Sequence, residues 1–308
     1  MRRLAIVFVV ALLAACSSAP KEEASRPSTA ALPAEPLADV DPDVVPRAYA
    51  GIVVDARTGQ ILYQEAARSL RYPASLTKMM TLYLLFEQLD AGRLTPASPL
   101  SVSEEAASRP PAKLGVKAGT AITVDTAARA LAVRSANDVA VVIAENLAGS
   151  EENFARAMTA KARSLGMART NFVNASGLPD PLQYTTAQDM AILGKALSES
   201  FPRWFGYFQT EKISYNGRTW RNTNKLLGKV PGVEGIKTGY IRDSGFNLVT
   251  SVRRGGKHII AVVIGGRTGA SRNKKMEELI ETYMPKASGG GIGSLFGMEA
   301  AAHVSLLR

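Results

Sequence analysis

The sequence predicts a single α/β (α+β) domain, in which an antiparallel five-stranded sheet is flanked by helices and carries an inserted helical lobe. β-rich segments lie near both ends of the folded part, and helical patterns fill the stretch between them. Short connections containing glycine join the last three β-rich segments, which favours antiparallel neighbours. The two end segments are therefore expected to form one sheet, with the intervening helices packed on it or inserted as a lobe.

The first 15 residues predict an export signal. Arg2 and Arg3 precede a run of twelve apolar residues that ends at Ala15. Twelve residues form about 18 Å of helix, which is too short for the roughly 30 Å hydrocarbon core of a bilayer. Residues 1–15 are therefore expected to be a signal peptide that directs export and is then removed.

The only cysteine of the chain, Cys16, follows this run directly. Residues 13–16, Leu-Ala-Ala-Cys, resemble a bacterial lipobox, which implies that Cys16 carries a lipid; ordinary cleavage after Ala19 remains the alternative. Residues 16–47 hold six of the sixteen prolines among Ala, Ser and Glu, a composition typical of an extended linker. The expected product is an exported, membrane-anchored lipoprotein on the periplasmic side of the bacterial envelope.

The folded domain is expected over residues 48–285 and begins with a hairpin. Within residues 49–65, two β-rich runs flank a turn that ends at Gly59, a typical hairpin signal. Residues 73–92 start with proline, end with glycine and are apolar on nearly every side. That pattern predicts a buried central helix.

The remaining elements are predicted from hydrophobic periodicity and from turn residues. Helical patterns cover residues 123–148, 151–165, 185–199 and Ser271 to Tyr283, and strand patterns cover residues 234–241, 245–253 and 257–266. Residues 286–308 are rich in glycine at first and then weakly apolar, so they are expected to form a flexible tail.

Composition excludes several kinds of site. One cysteine forms no internal disulfide and no Cys-rich zinc site, and the two histidines match no metal-ligand spacing. His258 leads into an apolar run and His303 lies in the last six residues, so neither is expected to serve a Ser-His-Asp triad. The formal net charge is +10, but Lys and Arg occur in runs of at most two. We expect catalysis without histidine, thiol, metal or cofactor, and no nucleic-acid partner.

Three short motifs contain the candidate catalytic residues. Ser75 and Lys78 form S-x-x-K on the central helix, Ser135 and Asn137 form S-x-N in a loop, and Lys237 begins K-T-G on a strand. The first two motifs also occur elsewhere in the chain, whereas K-T-G occurs once against a chance expectation of roughly 0.07. Their order along the chain, on helix, loop and strand, is the strong signal.

The first motif already indicates a nucleophile and a base. Ser75 and Lys78 are three residues apart on a helix, so they share one face. Ser75 also lies near the helix N-terminus, where free N–H groups favour a negative oxygen. Without histidine, Lys78 must be the base, so its pKa has to fall from about 10.4 toward neutrality. Burial and the like charge of Lys237 are expected to lower it.

Together the motifs resemble those of serine DD-peptidases and class A β-lactamases. Within that group, residues 73–81, 109–119, 234–241 and 245–251 resemble the D-alanyl-D-alanine carboxypeptidases, the low-molecular-mass penicillin-binding proteins of serine peptidase family S11. The similarity covers about residues 48–285. It implies a β-lactamase/transpeptidase-like fold and a serine-type carboxypeptidase that cleaves the terminal D-alanine from peptidoglycan stem peptides through an acyl-enzyme. It also implies β-lactam antibiotics as covalent inhibitors.

The second and third motifs then receive roles. Ser135 is expected to relay a proton to the leaving amine, and the amide of Asn137 to orient the substrate backbone. Lys237 and Thr238 lie on a strand against which an extended peptide docks, and Gly239 leaves that approach unobstructed.

Two further assignments come from the resemblance alone. The N–H groups of Ser75 and Tyr240 are expected to form the oxyanion hole. Arg272 matches the arginine that holds the terminal carboxylate of the substrate, a task suited to a guanidinium group. A surface charge at a helix start remains the alternative for Arg272.

Three other functions stay open. A class A β-lactamase shares all three motifs, but its deacylation needs a glutamate between the second and third motifs, and residues 170–186 contain none. Penicillin is therefore expected to acylate Ser75 and to leave slowly. A DD-endopeptidase acting on cross-links and a non-catalytic peptidoglycan-binding lipoprotein are the other two, and the intact motifs argue against the latter.

Overall fold

The computed structural model describes residues 47–289. The predicted signal peptide, Cys16, the linker up to residue 46 and the tail from residue 290, with His303, lie outside the described residues. Within residues 47–289, no helix combines the length and the apolar character needed to cross a membrane.

The strands of the main sheet come from the two ends of the folded part and most helices lie between them, as expected. The strands are β1 (Ala50–Asp55), β2 (Ile61–Glu65), β3 (Pro99–Ser101), β4 (Ala121–Thr123), β5 (Lys212–Tyr215), β6 (Arg218–Arg221), β7 (Lys237–Ile241), β8 (Gly245–Arg254) and β9 (Lys257–Gly266). The α-helices are α1 (Lys78–Asp90), α2 (Glu104–Ser108), α3 (Val124–Arg129), α4 (Asn137–Ala148), α5 (Glu151–Ser164), α6 (Ala187–Ser200) and α7 (Gly269–Tyr283).

The main sheet has five antiparallel strands in the order β2-β1-β9-β8-β7. This confirms the predicted five-stranded sheet made from both ends of the chain. β7 lies at one edge, so one side of the K-T-G strand has no strand partner among the described residues. An edge strand presents free N–H and C=O groups to an extended peptide.

Alternate strand residues supply two apolar layers, one on each face of the sheet, as the period of two requires. One layer joins α6 and the helical lobe to the sheet residues Ile52, Val249, Ile260 and Val262. The other joins Met276, Leu279 and Ile280 of α7 to Val53, Leu248, Ala261 and Val263. Burial on both faces explains why β8 and β9 are apolar along most of their length.

Several element boundaries differ from the sequence-based expectation. The central helix starts with a 3-10 turn, Ala74–Thr77, before α1. The pattern at 123–148 is not one helix, because α3 passes into a π-helical segment, Ala130–Arg134, and stops at Ser135 before α4 begins. The strand expected at 234–241 starts only at Lys237. Packing also continues past residue 285, since Ala287 is buried and the N–H of Ser288 donates to Asp55.

Two small sheets were missed. β3 pairs with β4, and β5 pairs with β6 as a hairpin between α6 and β7. Each strand has only three or four residues, too few for a clear alternation of apolar and polar residues. The β5–β6 hairpin packs Ile213 and Trp220 toward the apolar core of the helical lobe.

Candidate active site

The centre of the site is the buried amine of Lys78, at the start of α1. Nζ lies 3.0 Å from Oγ of Ser75 and donates to Oδ1 of Asn137 at 2.9 Å. It also donates in a short hydrogen bond to the carbonyl oxygen of Ser176. The first and second motifs therefore meet at one atom, through a contact that the sequence did not predict.

These three partners define how a neutral Lys78 is oriented. A neutral amine has two N–H donors and one lone pair. Asn137 offers Oδ1, since its Nδ2 donates to the carbonyl oxygen of Pro110 at 3.1 Å, and Ser176 offers a carbonyl oxygen, so both accept an N–H. The lone pair then faces Ser75, the one partner of the three that has a proton to give.

The environment of Lys78 favours this neutral form. Its side chain is fully buried, and burial holds the pKa of Lys78 well below its ordinary value because the ammonium loses its hydration. The positive charge of Lys237 lowers the pKa further, while Asp138 and Glu151 act in the opposite direction. Both lowering causes were expected from the sequence.

Ser75 lies in the 3-10 turn that precedes α1. Two glycines, Gly239 and Gly177, contact the backbone of this turn closely. Gly239 of β7 packs against it: a Cβ at this position would lie 3.0 Å from the carbonyl oxygen of Pro73 and 3.2 Å from the backbone nitrogen of Ser75. Gly177 has φ +82°, and a methyl group there would overlap the carbonyl oxygen of Ala74. Besides the free access for the substrate expected from the sequence, the lack of a side chain at Gly239 lets β7 pack closely against the turn of Ser75.

Ser135 occupies the break between the π-helical segment and α4. Its φ of 61° and ψ of 40° are left-handed, a conformation that costs a non-glycine residue about 1–2 kcal/mol. Its Oγ is buried and has no hydrogen-bond partner among the described residues. A strained residue with an unpaired hydroxyl is typical of a functional position.

Lys237 and Thr238 lie on β7, the strand that packs against the turn of Ser75. Lys237 is 1% exposed, and its Nζ donates to the carbonyl oxygen of Thr238 at 2.9 Å. Burial, together with the positive charge of Arg272, lowers the pKa of Lys237 to about 7. Oγ1 of Thr238 lies 2.8 Å from Oγ1 of Thr223, in the segment that follows β6.

Arg272 lies in the first turn of α7 and is 5% exposed, so the alternative of a surface charge is wrong. Its Nη1 donates to the carbonyl oxygen of Asn247 on β8 at 2.5 Å, and its Nε donates to Asn273. Burial lowers the pKa of Arg272 to about 10, so the guanidinium stays charged at neutral pH. The side chain of Tyr240 is 53% exposed, beside Phe246.

Asn137 departs in part from its expected role. Both polar ends of its amide already have protein partners, Lys78 and the carbonyl oxygen of Pro110, and its backbone N–H donates to Ala112. Asn137 therefore orients Lys78, and the expected contact with the substrate rests on the second hydrogen of Nδ2.

Sequence reasoning missed the segment that supplies the third acceptor of Lys78. Residues 174–177, Asn-Ala-Ser-Gly, form a tight turn in which Oδ1 of Asn174 accepts from the N–H groups of Ser176 and Gly177. The composition of this run indicates a turn. Its contact with Lys78 has no sequence signature, because the acceptor is a backbone carbonyl.

His258 lies outside this arrangement of side chains. Its ring nitrogen Nε2 is 2.8 Å from Oγ of Ser251 on the neighbouring strand. Burial lowers the pKa of His258 to about 4, so the ring is neutral at pH 7. The structural role expected for His258 is confirmed.

Comparison with known proteins connects this geometry to one family. The family model described as D-alanyl-D-alanine carboxypeptidase, peptidase S11, matches residues 38–268. The D-alanyl-D-alanine carboxypeptidase DacF of Bacillus subtilis is 34% identical over 238 residues, which cover 76% of this chain and 61% of the relative. The chain thus spans about three fifths of the length of the curated relatives it matches.

Two solved structures show the same fold. Penicillin-binding protein 5 of Haemophilus influenzae superposes with a TM-score of 0.74 at 30% identity, covering 79% of this chain and 72% of that one. Penicillin-binding protein D2 of Listeria monocytogenes, in an ampicillin-bound form, superposes with a TM-score of 0.66 at 29% identity. This match covers 77% of this chain and 96% of the Listeria chain.

Proposed function

The chain belongs to the D-alanyl-D-alanine carboxypeptidase family, peptidase S11, and from this premise we propose that it is a serine-type carboxypeptidase of peptidoglycan stem peptides. The observation that carries the proposal is the 3.0 Å contact between Ser75 and an amine of Lys78 whose two other partners are acceptors. That arrangement makes Ser75 a nucleophile and Lys78 its base.

Acylation follows from this geometry. Oγ of Ser75 attacks the carbonyl carbon of the penultimate D-alanine, and its proton passes to Nζ of Lys78. The N–H groups of Ser75 and Tyr240 stabilise the oxyanion, an interaction that contributes about 2.7–4 kcal/mol per donor. The C–N bond then breaks, the proton held by Lys78 passes through Ser135 to the amine of the terminal D-alanine, and an ester on Ser75 and a neutral Lys78 remain.

Deacylation returns the enzyme to its starting state. A water molecule attacks the ester carbonyl, gives one proton to the neutral Lys78, and the C–O bond to Ser75 breaks. The proton returns to Oγ of Ser75, and the shortened peptide leaves with a new terminal carboxylate. The net reaction consumes one water and releases D-alanine.

The substrate carboxylate is held by the positive end of the pocket. Lys237, Thr238 and Arg272 are the groups assigned to it, and the two charged side chains are buried, where a charge-assisted contact is strong. The stem peptide itself runs along the free edge of β7, where backbone groups of this strand pair with it.

β-lactam antibiotics are proposed to acylate Ser75 and to leave slowly. Penicillin-binding protein D2 of Listeria was solved with ampicillin bound. A β-lactamase would need a carboxylate free to activate water. Residues 170–186 hold no glutamate, and both carboxylate oxygens of the nearby Glu151 already accept hydrogen bonds, from Ala175 and Arg109.

Penicillin labelling tests the nucleophile. Fluorescent penicillin should label the wild type and a Ser164→Ala control, which removes an exposed serine, but not Ser75→Ala. Equal labelling of Ser75→Ala would contradict the assignment. Rapid hydrolysis of benzylpenicillin would favour the β-lactamase alternative.

Product analysis tests the reaction. Mass spectrometry of a pentapeptide incubated with the protein should show loss of one D-alanine. Cleavage of purified cross-linked dimers in preference to the pentapeptide would assign a DD-endopeptidase instead. No turnover of either substrate, with no penicillin labelling, would leave the non-catalytic binding role.

The N-terminal segment carries the signals for the location of the protein. We infer export to the periplasmic side of the bacterial envelope and anchoring through a lipid on Cys16, with residues 16–47 as linker to the folded domain that begins at residue 48. The support is the lipobox-like run at residues 13–16 and a substrate found outside the cytoplasm. Radiolabelled palmitate should enter the wild type and not Cys16→Ser; equal incorporation would exclude Cys16 as the lipid site.

A further inference from the structure

Glu151, the first residue of α5, is a buried carboxylate that joins two loops. Its side chain is 10% exposed. Oε1 accepts from the backbone N–H of Ala175 at 2.9 Å, and Oε2 accepts from Nη2 of Arg109 at 2.5 Å. A buried carboxylate is tolerated when it is paired and hydrogen-bonded, and here its partners come from two separate segments of the chain.

One of these segments holds an acceptor of Lys78, and the other holds the residue that fixes a second acceptor, Asn137. Ala175 directly precedes Ser176, whose carbonyl oxygen accepts from Nζ of Lys78. Arg109 directly precedes Pro110, whose carbonyl oxygen holds the amide of Asn137. Each carboxylate oxygen of Glu151 therefore binds a residue that directly precedes a carbonyl group important for Lys78. The carbonyl of Ser176 accepts from the lysine itself, and the carbonyl of Pro110 holds Asn137.

We propose that Glu151 is a positioning residue for the Ser75–Lys78 pair, which it serves by clamping the Arg109–Pro110 and Ala175–Ser176 segments on either side of the amine. It acts through Asn137 and Ser176. The inference rests on the proposed acyl-enzyme function, because positioning matters only if Lys78 takes the proton of Ser75.

A purely electrostatic role for Glu151 has the opposite sign. The charged groups that act on Lys78 are Lys237 from β7, Asp138 from α4 and Glu151 from α5; the first lowers the pKa of Lys78 and the two carboxylates raise it. Loss of the Glu151 charge alone would lower that pKa, and acylation would then reach its plateau at lower pH. Loss of the clamp would instead lower the plateau itself.

Two substitutions separate these effects, and the chain offers a matched control. Glu151→Gln keeps the side-chain length but removes the charge. Its amide has one acceptor only, so if its oxygen accepts from Ala175, its NH₂ group faces the guanidinium of Arg109. Glu151→Asp keeps the charge but is one methylene too short to reach both partners. Glu105→Gln is the control, because Glu105 also pairs with Arg109, at 2.8 Å, but its side chain is 63% exposed and takes no part in the contact between Glu151 and Ala175.

The readout is the rate of acylation by fluorescent penicillin as a function of pH, on full-length protein whose folding is verified by thermal unfolding. We expect the plateau to fall by about 10- to 100-fold in both Glu151 variants, as for a small misplacement of reacting groups, and to stay unchanged in Glu105→Gln. The acid limb should move to lower pH only in Glu151→Gln.

The proposal is overturned if both Glu151 variants keep the wild-type plateau, or if Glu105→Gln loses as much as they do. If the Glu151 variants do not fold, Arg109→Gln, which breaks one link only, carries the test: a lowered plateau supports the clamp and a wild-type plateau overturns it. A wild type that penicillin does not label would contradict the proposed function instead.

Discussion

The amine nitrogen of Lys78 lies 3.0 Å from the hydroxyl oxygen of Ser75. Burial and the positive charge of Lys237 lower the pKa of Lys78 well below its ordinary value, which favours the neutral amine that can accept the proton of Ser75. Lys78→Arg places a group that does not deprotonate in proteins at the same point. We expect penicillin acylation to fall by about 10²- to 10⁴-fold, the range for loss of a general base.

The measurement is the second-order rate of labelling by fluorescent penicillin. Lys195→Arg is the control, since Lys195 forms a surface ion pair with Glu199 that arginine also forms. A Lys78→Arg protein that is folded and labelled at the wild-type rate would show that another group takes the proton.

The second prediction concerns the close approach of Gly177 to Ala74. Gly177 and Gly149 share a left-handed backbone, with φ of +82° and +78°, but only Gly177 has neighbours within reach of an added methyl group. Alanine at either position incurs the same backbone strain, about 1–2 kcal/mol. Gly177→Ala must in addition push the 174–177 turn, and the carbonyl oxygen of Ser176, away from Lys78.

We therefore expect Gly149→Ala to be mildly destabilised and fully active, and Gly177→Ala to be less stable still and at least about 10-fold slower in acylation. Urea unfolding and penicillin labelling measure the two effects. Equal stability and equal labelling of the two variants would mean that the turn can move without affecting Lys78.

The frame of the fold was predictable from local patterns. Residues 49–65 and the three strand patterns from residue 234 onward have the β-rich runs and turn residues of a sheet, and their short connections imply the antiparallel order that β7, β8 and β9 show. The contact of Ser75 with Lys78 was also predictable, because a spacing of three places both on one helical face.

The rest of the site depends on contacts between distant parts of the chain. Lys78 and Ser176 are 98 residues apart, and the acceptor is a backbone carbonyl that any residue would provide. Glu151 has the appearance of an ordinary acidic residue in the first turn of a helix. Ser135 was expected in a loop, but no residue pattern around it indicates its left-handed backbone.

The third prediction uses the strain at Ser135. Ser135→Gly removes the hydroxyl and also relieves the left-handed backbone, so the unfolding free energy should rise by up to about 1 kcal/mol. Release of D-alanine should fall by about 10²- to 10⁴-fold, because the proton relay is lost. Ser135→Ala should lose the same activity without the gain in stability.

Thermal unfolding and D-alanine release test both halves. Loss of an unpaired buried hydroxyl costs little, so a large destabilisation of Ser135→Ala would mean that Oγ has a partner in solution. If Ser135→Ala released D-alanine at the wild-type rate, the proton relay through Ser135 would be excluded.

The fourth prediction is a narrow pH profile. kcat/KM reports the free enzyme; in the proposed mechanism Lys78 is then neutral, and Lys237 is charged to attract the substrate carboxylate. Since the pKa of Lys237 is lowered to about 7, kcat/KM should fall as pH rises through about 7. On the acid side, kcat/KM should fall as Lys78 becomes protonated.

Lys237→Arg keeps its charge at every accessible pH, so its alkaline limb should move upward or disappear. The profile of pentapeptide hydrolysis between pH 5 and pH 10 provides the measurement. An alkaline limb at the same pH in Lys237→Arg would assign it to a different group.

The fifth prediction links stability to His258. Its pKa is about 4 in the folded protein and about 6.5 in an unfolded chain. Between these values the unfolded state binds the proton first, so stability is fully present above pH 6.5 and is lost as pH falls toward 4. Because solvent reaches part of the ring, the difference between the two pKa values sets an upper limit of about 3 kcal/mol on the loss in unfolding free energy.

Urea unfolding at pH 7, 6, 5 and 4 measures this slope. His258→Gln should be less stable at pH 7, because the contact with Ser251 is altered, and its stability should fall less steeply between pH 6.5 and pH 4 than that of the wild type. A wild-type slope in a folded His258→Gln protein would show that the burial of His258 does not control acid stability.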